Sequence, residues 1–525
     1  MEEKEEKILE QPEQGKRDQW ASKLGLVLAM AGNAVGLGNF IRFPMQAAKH
    51  GGSIFMIPYA ISFLLLGLPL MFMEWGMGRF GGSKGHATMT GIFALIKNNK
   101  LFRWLGAIGI WIPLVIASYY CFIESWTIGY SIHSILANVG ANQTPAQAEQ
   151  FFNSYISIKS YVPYVIFLFT VGVNGYILYR GISKGIEKVA KVLMPLLFVF
   201  AIVLVIRVFT LGTPDPAHPD RSILEGFGFM WNLTDLRKLA DFNVWVAAAG
   251  QIFFTLSLGM GAIACYASYV DRSDDVVVSG LATALTNEGC EVILGSSIAI
   301  PMAVAFFGIH RTMELADSSS LGFAFISMPL LFGKIPLGHI FGAIWFLLLF
   351  FAGITSSIAM GQIVVAFFEE IVGFTRKKAV LLTMGMILLL AQLAIFGKGS
   401  LDEMDTLAGT LGLVVMALVE VVIWVHVFGI NKSWKSLMQG SKIDLWTGVK
   451  YIGAYITPVF IGIILIGWVV QNGASWFMMK GISEQEILYR WITRGVLFVV
   501  FLIICWISTR DMTMENKCQE AGGEE

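Results

Sequence analysis

Apolar runs close to bilayer thickness recur along nearly the whole of this chain, and they decide its solvent. A helix needs roughly 20 mainly apolar residues to cross a hydrocarbon core, and Ile340–Phe351 with its apolar flanks approaches that length. Only 14% of residues are charged, while 56% are hydrophobic. A soluble domain carries roughly 25% charged residues, so this chain cannot keep an ordinary solvated surface. Counting apolar stretches between polar punctuation gives about twelve spans. Their expected limits are 23–48, 53–80, 101–136, 162–180, 187–211, 243–269, 277–307, 338–370, 377–397, 402–428, 449–472 and 487–509. Run three is long for one crossing, which points to a tilted helix or one that extends beyond the bilayer. The expected class is an all-α membrane protein of about 12 transmembrane helices.

Other classes find little support. Zero formal net charge gives no nucleic-acid footprint. Seven histidines without an HExxH pattern leave no signal for a membrane metalloenzyme. The five cysteines contain no CxxC pair and read as packed thiols. Met1–Gln19 lacks the basic-then-apolar layout of a cleaved signal and reads as a cytosolic tail. Positive charge gathers after spans two (Arg79, Lys84, Lys97, Lys100, Arg103), four (Arg180, Lys184, Lys188, Lys191), eight (Arg376, Lys377, Lys378) and ten (Lys432, Lys435, Lys442, Lys450). Stretch 137–161 holds only Lys159, and 308–337 only Arg311 and Lys334. Both termini are therefore expected in the cytoplasm, on a multi-pass protein of the cell (inner) membrane.

Two spans break the apolar rule. Span one contains Gly32-Asn33-Ala34-Val35-Gly36-Leu37-Gly38-Asn39, and span six contains Phe254-Thr255-Leu256-Ser257-Leu258-Gly259-Met260-Gly261. Gly32 and Gly36 form a GxxxG pair, which close helix packing alone could explain. The flanking amides Asn33 and Asn39 weigh against that reading, because each needs hydrogen-bond partners in hydrocarbon. Paired interruptions five spans apart point to inverted repeats with substrate and ions at the breaks. Unwound backbone exposes carbonyls that suit a dehydrated hard cation, and the half-helix N-terminus beyond offers N–H groups to a carboxylate. Span eight adds Thr355, Ser356 and Ser357, and span seven adds Asn287. Glu74, Glu124, Glu288, Glu291 and Glu420 are costly intramembrane carboxyls that need partners. An ion channel could use similar carbonyls, but would need a symmetric pore motif that is not found here.

Asn33-Ala34-Val35-Gly36-Leu37-Gly38-Asn39-Phe40-Ile41-Arg42-Phe43-Pro44 closely resembles the signature of the neurotransmitter:sodium symporter family. Gln251–Gly259 and Asp402-Glu403-Met404-Asp405 match as well. The likeness is to the bacterial leucine-transporter branch, from about Trp20 to span ten. The resemblance implies a cytosolic tail at 1–20, a core at 21–428 of two inverted five-helix repeats with broken helices one and six, two further helices at 429–511, and a cytosolic tail at 512–525. It implies a sodium-coupled symporter for neutral hydrophobic amino acids rather than an enzyme, working in the lipid bilayer, with a homodimer left open. A proton-coupled amino-acid transporter of similar fold is the nearest alternative.

By the same resemblance, two Na+ ions bind. Site one would use Ala34, Asn39, Thr255 and Asn287, and site two Gly32, Val35, Ala352, Thr355 and Ser356. The substrate would meet Ala34, Leu37, Gly38, Ile116, Tyr120, Phe254, Thr255, Ser257, Met260, Ser356 and Met360. Monoamine carriers place an aspartate where Gly36 stands, which implies a substrate that brings its own carboxylate. Chloride-dependent relatives have a serine at the position of Glu291, so Glu291 is expected to substitute for chloride, with proton counter-movement through it a further option. Arg42 with Asp405 would form the outer gate. Arg17 with Glu370, helped by Trp20 and Tyr269, would form the inner gate.

Overall fold

The computed structural model describes residues 18–522 apart from 141–142, 159, 215–217, 220, 234–235, 319 and 480, and the elements among them are all helical. Ten helices are long and apolar enough to cross a membrane, and the pair Lys23–Ala34 and Gly38–Lys49, bent by 49°, adds an eleventh. The remaining crossing, span six, is split into Phe242–Thr255 and Ala262–Ala267, each too short to cross alone. The expected class is thus observed, and span limits such as Tyr161–Tyr179, Gly338–Glu370 and Arg376–Phe396 agree closely. Span three is one helix of 36 residues, Lys100–Ile135. At ~1.5 Å per residue it is about 54 Å long, so it extends beyond a core of roughly 30 Å.

Burial separates scaffold from periphery. The most apolar window of span three is 89% buried and that of span eight 78%, against 28% in spans five, eleven and twelve. Spans three and eight are apolar all round because protein surrounds them, whereas the peripheral spans turn their apolar faces to lipid. Short helices unforeseen by hydropathy, such as Pro145–Ile156 and Ile309–Ser318, fold over the ends of the bundle.

Polar side chains tie the helix ends together. Ser22 caps span one by accepting from the Gly25 N–H, and Glu187 of span five accepts from the Ala21 N–H (2.7 Å) and the Ser22 hydroxyl (2.8 Å). Asp275 caps span seven through the N–H groups of Val277 and Val278, and also accepts from the Lys442 N–H at 2.7 Å. Glu403 of span ten, 0% exposed, pairs with Arg490 (3.3 Å) and Arg494 (2.6 Å) of span twelve. A buried carboxylate with two guanidinium partners is held where a lone one would be expelled.

The helical ladder stops at Val35–Gly36 in span one and at 256–261 in span six. In span six Ser257, Gly259 and Gly261 all take positive φ (54°, 69° and 79°). Ser257 pays for this with left-handed strain, of the kind that gathers at functional sites. Gly259 has a second reason to lack a side chain: a Cβ there would run into the Leu413 carbonyl and lie 3.1 Å from the Ala417 nitrogen. Gly259→Ala is expected to cost at least about 2 kcal/mol through strain and overlap. A lowered unfolding midpoint of the detergent-solubilised protein would register it; an unchanged midpoint would mean that span six relaxes freely there.

Candidate substrate and ion site

The two breaks face each other at mid-depth, and their free backbone groups are claimed largely by side chains. Asn39 is fully buried. Its Oδ1 accepts from the Gly36 N–H at 2.8 Å, and its Nδ2 donates to Asn287 Oδ1 (2.8 Å) and Thr255 Oγ1 (3.2 Å). The Leu37 N–H donates to the Tyr120 hydroxyl at 3.1 Å. Ser257 Oγ donates to the Asn33 carbonyl at 3.1 Å. Asn39, Thr255 and Asn287 thus lie within one hydrogen bond of each other, although 216 and 248 residues separate Asn39 from the other two. Ala34, the other residue expected at this point, lies in the last turn before the first break and is buried.

A second group forms where span eight meets span one. Ser356 Oγ lies within hydrogen-bond reach of the carbonyls of Asn33 (3.2 Å), Ala352 (3.2 Å) and Gly32 (3.4 Å) and can donate to one of them at a time. Thr355 Oγ1 bonds back to Phe351 (3.0 Å) and Ala352 (3.1 Å). A Cβ on Gly32 would lie 2.9 Å from the Thr355 Cβ, so glycine is what admits this approach. Val35, also expected here, is fully buried at the break. Both groups offer neutral amide, hydroxyl and carbonyl oxygens, a donor set for a hard cation rather than a soft transition metal.

Between them lies a narrow cavity of about 30 Å³. Ten of the residues expected around a substrate line it: Ala34, Gly38, Ile116, Tyr120, Phe254, Thr255, Ser257, Met260, Ser356 and Met360. Leu37 does not; it contributes through the backbone N–H on Tyr120. Asn33, Gly36 and Asn39 complete the wall. Both side-chain atoms of Asn33 are buried without a hydrogen-bond partner among the described residues. Orphaned amides of this kind mark a place where a ligand or ion completes the set. Asn33 was legible as an amide in an apolar span, but nothing in the sequence distinguished it as facing the cavity.

Glu291 is 0% exposed and fully engaged. It accepts from Tyr59 (3.0 Å), from Gln251 (2.9 Å) and from the hydroxyl of Thr255. Tyr59 also reaches Glu288 at 2.9 Å. Tyr59 and Gln251 had no assigned role before the structure brought them to this carboxyl. One buried acid is therefore wired directly to a residue of the first oxygen group.

The gate residues are arranged asymmetrically. A vestibule of about 830 Å³ is lined by Arg42, Asp241, Phe253, Asp317 and Asn472 among others. Arg42 lies 4.5 Å above the ring of Phe254, while Asp405 accepts from Tyr119 at 2.7 Å. The expected Arg42–Asp405 ion pair is not made in this conformation, because each partner is held by another group. Arg17 lies outside the described residues. Its expected partner Glu370 accepts from the Ala87 N–H (2.9 Å) and the Thr88 hydroxyl (3.2 Å), and pairs with His86 Nδ1 at 2.5 Å. Trp20 packs edge-on against Tyr266 and donates to its carbonyl at 3.0 Å, and Tyr269 accepts from Gln362 at 3.0 Å.

A multi-span helical protein whose two broken helices wall a small polar cavity is by architecture a secondary transporter. The profile of the Sodium:neurotransmitter symporter family matches residues 17–153 and 162–507, and the chain belongs to that family. It is 31% identical over 458 residues to an uncharacterized sodium-dependent transporter of Methanocaldococcus jannaschii, covering 85% of this chain and 89% of the relative. It is 25% identical over 532 residues to the sodium- and chloride-dependent neutral and basic amino acid transporter B(0+) of Mus musculus, covering 88% and 81%. Among solved structures it resembles MhsT in complex with L-phenylalanine, with a TM-score of 0.74 and 26% identity, covering 86% of this chain and 99% of that one. The protein is thus a multi-pass, sodium-coupled transporter of a small molecule, and not an enzyme.

Proposed function

We propose that this protein is a symporter that uses two sodium ions to import neutral, apolar amino acids by alternating access, without chloride. The observation that carries the reading is the meeting of Asn39, Thr255 and Asn287 beside a cavity walled by Tyr120, Ser257 and Ser356. The first sodium would take oxygens of Ala34, Asn39, Thr255 and Asn287, and the second those of Gly32, Val35, Ala352, Thr355 and Ser356. A substrate carboxylate completing the first shell would make ion and substrate each bind better with the other present, which is the basis of coupling. The L-phenylalanine bound to MhsT supports the substrate class, and the mouse relative is named for neutral and basic amino acids. Ile116, Met260 and Met360 support an apolar side chain, and flexible methionines suit ligands of differing size.

Chloride independence rests on Glu291, which supplies a buried carboxyl bonded to Thr255 beside the first ion site. Arg42 and Asp405 would pair when the vestibule closes, and Glu370 would release the 86–88 loop when the other side opens. The basic loops support cytoplasmic termini. In proteoliposomes, an inward sodium gradient is expected to drive uptake of L-phenylalanine, and replacing chloride by gluconate is expected to leave the rate unchanged. Preference for a charged amino acid would sink the substrate class. Collapse of uptake in gluconate would sink the role of Glu291.

A further inference from the structure

Where the end of span three meets the start of span eight lies another cavity, of about 140 Å³, which shares no lining residue with the site above. A cavity of roughly 150 Å³ is large enough to hold benzene, whereas one water needs only about 10–15 Å³. Its wall is mostly apolar, with Val139, Phe332, Ile335 and Leu337 in it, and no acid among the described residues lines it. Two unmet polar groups border it. Ser134 is 3% exposed, yet its hydroxyl has no hydrogen-bond partner among the described residues. It faces span eight: a Cβ on Gly342, also in the wall, would lie 3.3 Å from Ser134 Oγ. The other group is the first turn of Gly338–Glu370, a helix of 33 residues whose N-cap, Leu337, makes no side-chain hydrogen bond. The Gly338 N–H is taken by Ile335, and those of Ile340 and Phe341 by Leu337, which leaves the His339 N–H without a partner among the described residues. Cations stand close by in the chain. Arg207 bonds to the Pro336 carbonyl at 3.4 Å, and Lys334 lies over the rings of Phe306 and Phe307. Ala137 and Leu337, both in the wall, take φ of 55° and 58°, a left-handed strain that the surrounding packing must hold in place.

We propose that this cavity binds a small carboxylate with an apolar body, of about the size of benzoate. Its anion is held by the Ser134 hydroxyl and the first turn of span eight, and its body packs among Val139, Phe332, Ile335 and Leu337. Three features fit an anion rather than a neutral molecule. An uncapped helix N-terminus presents free N–H groups and partial positive charge. A buried hydroxyl without a partner is a donor in want of an acceptor. Arg207 and Lys334 add positive charge, and no lining acid opposes it. The apolar wall fits a body larger than an inorganic ion, which would leave most of that surface empty. An occupant bridges span three, the 329–338 segment and span eight, so it stabilises the folded protein by mass action. The inference does not rest on the amino-acid reading.

The test uses the purified full-length protein in detergent and equilibrium dialysis, with sodium benzoate as the probe and benzamide as its uncharged counterpart of the same shape. The wild type is expected to bind benzoate saturably at one site and to unfold at a higher temperature in its presence. Benzamide is expected to bind at least about tenfold more weakly, because hydrogen bonds to an ionised acceptor are about twice as strong as neutral ones. Ser134→Ala removes one such bond and is expected to weaken benzoate at least about tenfold. Gly342→Val grows into the space in front of Ser134 and is expected to bind none. Saturating L-phenylalanine with sodium is expected to displace no benzoate, since the two cavities are separate. No saturable binding by the wild type, equal affinity for benzamide, displacement by L-phenylalanine, or unchanged affinity in Ser134→Ala would each overturn the proposal. The wild-type comparisons decide the matter even if Gly342→Val does not fold. A wild type that binds benzoate in this way but ignores L-phenylalanine would support the carboxylate site and overturn the amino-acid reading.

Discussion

Replacing Asn39 by alanine is expected to abolish sodium-dependent binding of L-phenylalanine while leaving a folded protein. The side chain is fully buried and joins three partners, the Gly36 N–H, Thr255 and Asn287. Its loss orphans a backbone donor at the break and an amide oxygen on span seven. Each buried group left unsatisfied costs about 1–3 kcal/mol. Two such losses, with removal of a cation ligand, correspond to at least about 3 kcal/mol, more than a hundredfold in affinity. Equilibrium binding across a sodium titration checks this: the saturable signal should vanish at sodium concentrations that saturate the wild type. Unchanged sodium dependence in Asn39→Ala would remove Asn39 from the ion site and favour a proton-coupled mechanism.

Gly36→Asp should separate substrates by chemical class. A Cβ at position 36 would lie 3.0 Å from both the Ser356 and Tyr120 hydroxyls, so an aspartate there must point into the cavity. Its carboxylate would stand where the Leu37 N–H and Tyr120 hydroxyl meet, the place proposed for the carboxylate of an amino acid. Two like charges about 4 Å apart repel by about 4 kcal/mol at an effective dielectric constant of about 20. Binding of L-phenylalanine should therefore fall about a thousandfold. Phenylethylamine, which has the same side chain and amine but no carboxylate, should lose nothing comparable. Equal losses for the two compounds would mean that Gly36 serves packing alone.

Much of this molecule was readable before any coordinate. Hydrophobic length located the spans, because a helix in lipid must satisfy its own backbone and conceal it with apolar side chains. The same rule made Gly32–Asn39 and Phe254–Gly261 conspicuous, since glycine, amide and hydroxyl residues at mid-depth contradict it. Residue type also marked the costly carboxyls, Glu74, Glu291 and Glu420 among them.

Their partners were not readable, for a physical reason. Glu291 is held by Tyr59, 232 residues away, and Ser22 by Glu187, 165 residues away. Buried polar groups are satisfied by whatever donor the packing brings within reach, and chain separation carries no trace of that choice. Backbone donors are more silent still: the N–H of Gly259 on Glu74 and of Ala87 on Glu370 have no side-chain signature at all. The gates show the same limit. Arg42 and Asp405 are suited by charge to pair, yet the packing gives one the ring of Phe254 and the other the hydroxyl of Tyr119. The sequence by itself determined which groups need partners in lipid; the tertiary structure decided which partner each one has.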